Sequence, residues 1–599
     1  MKEIIYNFYK VLNKEQKKRF ILLQFLVAAA SIFEVFTVAY LGFFMSSFSQ
    51  EKSSSNFIFN LLKNILGVSS YRELEQIVVL SLFLCLIASA ILSIVTIRTL
   101  SIFASTTGAE FGNRLFNSYL FQNISFHENV NSSELVNKIS TEVNRVTDNI
   151  LQPLMQIIAR TATVILIAIF LFLYNTTITI VSIIVILLIY FVLFSLMKKI
   201  LLKNGNIISK NSLLRLKLMD EAFAGIKEIT ILGKKEYFSN KFKLSGDDFA
   251  RAYGSSNTIY NIPRIIIEFS VYAALVTLIY VFTFSDNTEF SKYSALVSVF
   301  GFGLFKILPS FQQIYAGLAQ MSANTSAFVA IVPELQYFVD VKFVYTRNNT
   351  TDRFYGDITL SNVCFRYENS VRAQIENVTI KIPEYSKVGI VGRSGSGKST
   401  LMNIMMGTAL PQSGRVTIGK RELDNLNMAC WHSSIGYVSQ NPIVLDTTLI
   451  ENIAIGEELL DIDMERIQIA LRGAKLEDWV KTKEKGLYTL LGERGIQMSG
   501  GQRQRIAIAR AIYREPDYFF FDEATSALDS STEEGILEFI DEMKGKKTIV
   551  VIAHRINTVR DCDLIFVVEN GGIKNFGSFD YLKDNCDEFI SLLGKNKPN

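Results

Sequence analysis

Six stretches of about 20 or more mostly apolar residues decide what the N-terminal half can fold into. They lie near 20–45, 77–104, 151–174, 177–197, 264–284 and 293–320. Inside hydrocarbon no water reaches backbone N–H and C=O groups, so an unbroken segment of this length crosses as a helix. The third and fourth stretches are separated only by "YNTT", which predicts a tight helical hairpin. Beyond residue 335 the long apolar runs stop. The 599-residue chain is too long for one core, and its 49% hydrophobic and 20% charged residues average over two unlike halves. The expected domains are a membrane domain at 1–335, a polar linker at 336–356 and a soluble α/β domain at 357–599.

Basic residues orient the spans. The loop from Lys198 to Ile262 is rich in them, from Lys198 and Lys199 through Lys234 and Lys235 to Arg251. The short loop "SDNTE" carries only Asp286 and Glu289. Positive loops stay inside, so the two long loops, the N-terminus and the C-terminal domain are expected in the cytoplasm, with the spans in the inner membrane. Both long loops keep helical periodicity, as in "SELVNKISTEVNRVTDNILQPL", and read as helical extensions of the spans, with turning points near His127–Glu134 and Met219–Gly225. Pro263 reads as the first turn of the fifth span. The N-terminus shows no signal-peptide pattern. Ile4, Ile5, Phe8, Val11 and Leu12 there suit a short helix on the membrane surface, followed by Lys14, Lys17, Lys18 and Arg19. A net charge of +4 gives no nucleic-acid signal, and the five cysteines have no metal or disulfide spacing.

The soluble half carries phosphate chemistry. "GRSGSGKST" follows the apolar strand "KVGIVG" and precedes a helix-like run, the strand–loop–helix setting of a P-loop. Gly392, Ser394, Gly395, Ser396, Gly397 and Thr400 let backbone N–H groups close on phosphates. Lys398 is placed for the β- and γ-phosphates of ATP, and Ser399 for Mg²⁺. "YFFFDE" ends a second apolar strand in Asp522, for the Mg²⁺ shell, and Glu523, to polarise the attacking water. "TIVVIAHR" ends a third in His554, a candidate for the γ-phosphate or the water. Gln440 in "IGYVSQNP" suits Mg²⁺ or water, and Tyr367 in "VCFRY" suits adenine stacking. Read alone, each of these last three is equally an ordinary structural residue. "MSGGQRQR" places Ser499, Gly500, Gly501 and Gln502 at a second helix start suited to phosphate. One nucleotide needs only one such cradle from a chain, so two chains head to tail would supply one each.

In this order these motifs resemble the ATP-binding cassette (ABC) transporter family, and the resemblance covers nearly the whole chain. Ser526, Ala527, Leu528 and Asp529 add to it, while Met498 stands where the family usually has Leu. Six spans followed by one cassette is the layout of an exporter-type half-transporter. The resemblance implies an ATP hydrolase coupled to transport and a dimer sandwiching two ATPs, with Asp529 also near nucleotide. An undegenerate site set implies a homodimer. The fold class expected is thus an α-helical membrane domain with long cytoplasmic extensions plus an α/β P-loop cassette.

Cargo must be read from the membrane half. Glu34, Arg98, Arg160, Arg264, Glu268 and Lys306 fall within or beside the spans. Intramembrane charges mark substrate paths or pair with one another, and those near a span end can snorkel. Basic residues outnumber acidic ones, which suits an anionic head group. "IPRIIIEF", "LFKILPSFQQI" and "SIFEVF" are similar to bacterial flippases of lipid-linked oligosaccharides. That likeness implies a polyprenyl-pyrophosphate glycan as cargo, membrane lipid as partner, and Arg98, Arg264 and Lys306 as head-group contacts. The competing readings are an exporter of peptides, drugs or other amphiphiles, and an ATP-gated channel.

Overall fold

The computed structural model describes residues 2–49, 71–283, 287–337, 353–367, 373–424, 427–492, 495, 498–524, 528–553 and 556–594. The chain forms two compact units. Residues 338–352 of the expected linker lie outside the described residues.

The first unit is helical. A short helix α1 (Lys2–Val11) precedes α2 (Lys14–Ser49) and α3 (Tyr71–Leu120). A helical run α4 follows over Ser132–Tyr174. Then come α5 (Thr176–Ala224), α6 (Lys235–Thr283), α7 (Asn287–Ala323) and α8 (Thr325–Tyr337). Among the described residues, stretches of α2, α3, α4 and α5 are long and apolar enough to cross a membrane. The expected fifth and sixth spans fall on α6 and α7. α5 has 49 residues, about 75 Å of helix at 1.5 Å per residue, against about 30 Å of hydrocarbon. The surplus is the helical extension that the loop periodicity predicted.

The "YNTT" hairpin is tighter than expected. α4 ends at Tyr174 and α5 begins at Thr176, so Asn175 alone makes the turn. It works because Asn175 is extended (φ −152°) and its side-chain oxygen accepts the Ile178 N–H at 3.1 Å, capping α5. Pro263 departs from expectation: it lies inside α6 and not at a helix start. A proline forfeits one backbone hydrogen bond. Here the helix runs through because Ile259 and Ile267, a turn to each side, are both buried against α5 and α7. The turning point expected near His127–Glu134 overlaps a short helix at Ile124–Asn129, whereas Met219–Ala224 is still part of α5 and the break comes at Gly225, before a short helix at Ile226–Ile231. α1 buries Phe8 and Val11 against α3 and exposes Ile5, Tyr6 and Tyr9. Lys10 and Lys17 sit over the Tyr6 and Tyr9 rings at 4.5 and 5.0 Å, a face suited to an interface.

α4 is not regular. Two π-helical turns, Lys138–Glu142 and Thr147–Leu151, widen it. Between them Arg145 Nη1 donates to Glu142 Oε2 at 2.9 Å and to Ser209 Oγ at 2.5 Å, and Nε donates to Asn324 Oδ1 at 3.1 Å. α5 can approach that closely because Gly205 has no Cβ; one would lie 2.0 Å from the Ala323 carbonyl oxygen.

The second unit is built on two sheets. β1 (Ile358–Phe365), β2 (Ile375–Ile382), β4 (Ser413–Ile418) and β5 (Arg421–Glu422) form an antiparallel sheet in the order β2-β1-β4-β5. The other sheet joins β3 (Lys387–Val391), β6 (Ile435–Val438), β7 (Tyr518–Asp522), β8 (Thr548–Ile552), β9 (Leu564–Glu569) and β10 (Gly572–Gly577). Its order is β10-β9-β3-β8-β7-β6, parallel except for β10. β3 and β8 are buried throughout, which is why they read as unbroken apolar runs. α9 (Lys398–Met406) covers one face with Leu401 and Met405 against Phe520 and Val550. α10 (Gly500–Tyr513) covers the other with Ile506 and Ile512 against Phe519 and Phe521.

Candidate nucleotide site and membrane cavity

The sheet order puts β8 between β3 and β7, so the P-loop and the Asp522–Glu523 pair leave the same strand ends. Gly397 N-caps α9 with φ +105°, a left-handed conformation that glycine adopts without strain. A Cβ there would lie 2.8 Å from the Gln374 carbonyl oxygen. Lys398 is buried, and its Nζ donates to the Gly392 and Arg393 carbonyls at 3.0 Å each. Burial lowers its pKa from the ordinary lysine value, and the Glu523 and Asp522 carboxylates oppose that shift. Ser396 Oγ is buried with no hydrogen-bond partner. A loop with an orphaned hydroxyl, a lysine bonded only to loop carbonyls and a helix N-terminus fits a phosphate chain. Ser399 is exposed at the same helix start, while Thr400 is buried.

Glu523 sits just past β7 with φ +50°, strained for a non-glycine residue by about 1–3 kcal/mol. Its N–H donates to the Ile552 carbonyl at 3.2 Å, and Gln504 Nε2 donates to its carbonyl at 3.2 Å. Its Oε2 accepts from Gln440 Nε2 at 2.6 Å. Two of the residues singled out from sequence thus touch. The donor set Ser399, Asp522 and Gln440 is hard oxygen, suited to Mg²⁺. Ser499 caps α10 in a reciprocal box: its N–H donates to Gln502 Oε1 at 3.0 Å and its Oγ accepts the Gln502 N–H at 3.2 Å. Gly500 and Gly501 form the first turn of α10. Asp529 caps α11 (Ser530–Glu542), accepting from Thr532 N and Oγ1 at 3.2 and 3.0 Å. Tyr367 is half-buried, edge-on to Phe365 at 4.9 Å. His554, Ser526 and Ala527 lie outside the described residues. His127 and His432, given no role from sequence, bond the Tyr119 and Met406 carbonyls.

Two residues that sequence reasoning missed anchor the segment after Gln440. Asn452 is fully buried; its Oδ1 accepts the Leu445 N–H at 2.9 Å and its Nδ2 donates to the Leu445 carbonyl at 3.0 Å. Arg510 on α10 donates to the Asn452 and Ile443 carbonyls at 2.9 and 3.1 Å. Nothing in the local sequence marks Asn452, because its partners are made by the fold.

In the membrane unit a cavity of about 200 Å³ opens between α2, α3, α4 and α7. Its wall includes Ser31, Glu34, Gln156, Arg160, Thr163 and Gln313. Arg160 Nε donates to Gln313 Oε1 at 2.6 Å, and no described carboxylate pairs with it. Lys306 Nζ lies 2.8 Å from Glu34 Oε1. Arg264 is exposed and pairs with Glu268 on its own helix at 2.7 Å. Arg98 is exposed on α3 and outside the cavity wall. Among the described residues Arg98, Arg264 and Lys306 therefore share no partner within one protomer, and Arg160 is the one cation in the cavity wall.

Residues 20–307 match the family model of the ABC transporter transmembrane region, and 375–526 match that of the ABC transporter. The chain belongs to the ABC transporter family. It is an exporter-type half-transporter, with membrane and ATP-binding parts fused, and an ATP hydrolase coupled to transport. Among its relatives, an ATP-dependent lipid A-core flippase of Salmonella typhimurium is 28% identical over 543 residues, covering 88% of this chain and 90% of that one. The flippase of the same name from Photorhabdus laumondii is 28% identical over 489 residues, 81% and 80% of the two chains. The fold matches a bacterial Atm1-family ABC exporter solved with ATP bound. That match has a TM-score of 0.76 at 19% identity and covers 98% of this chain and 100% of that one.

Proposed function

We propose that two copies of this ABC exporter form an ATP-driven flippase. Its cargo is an anionic lipid-linked glycan, a polyprenyl-pyrophosphate oligosaccharide, moved from the cytoplasmic to the outer face of the inner membrane. The observation that carries this reading is a cavity with Arg160 and other polar side chains in its wall and Lys306 paired to its Glu34, inside a unit whose exposed helix faces are apolar, as at Leu22, Phe25, Phe191 and Phe305. A phosphate head needs cationic, hydrogen-bonding walls, and a prenyl tail can lie along apolar faces. Relatives named for flipping lipid A-core support a lipid as cargo. Arg160 and Lys306 form the seat; Arg98 and Arg264, both exposed on one protomer, meet the head group on its way.

In the cassettes, the N–H groups of Gly392–Thr400 hold the phosphates of ATP, and Lys398 turns from the loop carbonyls to the β- and γ-phosphates. Ser399, Asp522 and Gln440 hold Mg²⁺, which neutralises phosphate charge. Glu523, already bonded to Gln440, orients water at the γ-phosphate, and His554 contacts the γ-phosphate or that water. Tyr367 stacks on adenine. Ser499, Gly500, Gly501 and Gln502, with Asp529, complete the site of the other copy. Tighter ATP binding by the closed pair drives the membrane units to their outward form. The basic loops support an N-terminus and cassettes on the cytoplasmic side.

ATP turnover of the chain in lipid vesicles tests the cargo. It should rise with a polyprenyl-pyrophosphate glycan and not with equal amounts of hydrophobic peptides or amphiphilic drugs. Stimulation by peptides or drugs alone would refute the reading.

A further inference from the structure

Among the described residues of the membrane unit, two carboxylate–cation pairs differ in build. Glu142 and Arg145 are closed in: their side chains are 3% and 11% exposed, and Ser209 and Asn324 bind the same guanidinium. Glu34 and Lys306 are open on one side. Glu34 is 11% exposed, but Lys306 is 43% exposed. Oε1 of Glu34 accepts from Lys306 at 2.8 Å, whereas among the described residues Oε2 has the Thr163 hydroxyl alone, at 3.5 Å. That hydroxyl is shared with Ser31 Oγ at 3.1 Å and with the Ala159 carbonyl at 3.3 Å. One carboxylate oxygen is therefore weakly held.

Position matters as much as strength. Glu34 lines the cavity that also holds Arg160, and Lys306, outside the cavity wall, reaches Glu34 from α7. Arg160 and Lys306 against Glu34 leave one net positive charge at the cavity. A head group with a single negative charge is balanced there as the cluster stands. A second negative charge finds a cation only if Lys306 leaves Glu34, and the cluster then carries one negative charge in excess, on Glu34.

We infer that Glu34 is a resident counter-ion for Lys306, which an anionic head group displaces on entering the cavity, so that Glu34 sets how many negative charges the head group must bring. The inference rests on the anionic-lipid reading above. Glu34 acts as a positioning residue: it holds Lys306 at the cavity until a stronger anion takes over, and it disfavours neutral cargo, which cannot replace it. Leaving the pair is uphill for Glu34, because a buried carboxylate without its cation is costly. That cost is subtracted from cargo affinity.

The test uses the full-length chain in vesicles and reads the lipid concentration that gives half-maximal stimulation of ATP turnover. The probes share one prenyl tail and one glycan and differ in carrying a pyrophosphate, a phosphate or a neutral linkage. In Glu34→Gln the carboxylate is lost but the shape is kept. The half-stimulating concentration should then fall about fivefold to tenfold for the pyrophosphate lipid and less for the phosphate lipid. Lys306→Gln alone should be worse than Glu34→Gln combined with Lys306→Gln, because it leaves a bare carboxylate facing the head group. A Glu34→Gln change that weakens all three lipids alike shows a purely structural pair and overturns the inference. So does a double variant no better than Lys306→Gln. In both of those cases a wild-type response to the pyrophosphate lipid leaves the anionic-lipid reading standing. A wild-type chain that ignores both phosphorylated lipids overturns that reading, and the counter-ion role with it.

Discussion

Replacing Asn452 with alanine should slow ATP hydrolysis without weakening ATP binding. Asn452 lies on the short helix Leu449–Ile453, away from the P-loop in sequence. Its side chain makes four hydrogen bonds to the segment Leu445–Thr448: one from the Leu445 N–H, and one each to the Leu445 carbonyl, Thr447 Oγ1 and the Thr448 carbonyl. At about 0.5–1.5 kcal/mol each, their loss favours opening of that segment by about 2–4 kcal/mol, since Leu445 is exposed enough for water to repay part. The segment carries the chain on from Gln440, whose amide bonds Glu523 at 2.6 Å. A displacement of about 1 Å at a reacting group costs about a hundredfold in rate. The expected result is kcat lower by about ten- to a hundredfold. Gly397 and Lys398 are built on β3 and α9, so nucleotide affinity should stay within about threefold. Turnover in nanodiscs and equilibrium binding of a fluorescent ATP analogue give the two numbers. Turnover within twofold of wild type, or affinity and turnover falling together, would refute the reasoning.

Other substitutions probe the remaining parts. Glu523→Gln should reduce hydrolysis by at least about a thousandfold while ATP still binds; residual turnover near wild type in a phosphate-release assay would remove Glu523 from its proposed role. Gly397→Ala forces a side chain into a left-handed turn and against the Gln374 carbonyl, so ATP binding should fall at least about tenfold by equilibrium titration. Arg145→Ala strands the buried Glu142 at a cost of about 3–5 kcal/mol, which should appear as a clearly lower unfolding temperature of the detergent-solubilised chain. Arg145→Ala with Glu142→Gln should recover most of that loss.

The long apolar helices and the cassette motifs were legible in the sequence because each is local: an apolar run, or a strand that ends in the residues it delivers. The P-loop, the Asp522–Glu523 pair and the Ser499 cap needed no tertiary information to be found. Side-chain pairing did not show in the same way. Glu34 and Lys306 are far apart in sequence, and only the crossing of α2 and α7 joins them. Arg264 and Glu268, adjacent on one helix, were readable as a pair. The grouping of Arg98, Arg264 and Lys306 rested on charge sign and on a likeness of short segments, neither of which carries information on helix face. Pro263 misled for a related reason: a proline favours a helix start locally, but packing at Ile259 and Ile267 decides whether the helix continues. The π-helical turns of α4 have no sequence signature of their own. They accompany a buried network in which Glu142 and Arg145 of α4 meet Ser209 of α5 and Asn324 between α7 and α8.

The central claim is movement of a phosphorylated lipid driven by ATP, and translocation itself is its most direct measure. The chain is reconstituted into vesicles with a fluorescent polyprenyl-pyrophosphate glycan, and the fraction reaching the leaflet opposite the cassettes is followed by quenching. ATP should move the lipid in wild type and not in Glu523→Gln, and a neutral lipid of the same tail and glycan should stay behind. Equal movement of the neutral lipid, or movement of the phosphorylated one without ATP hydrolysis, would contradict the account.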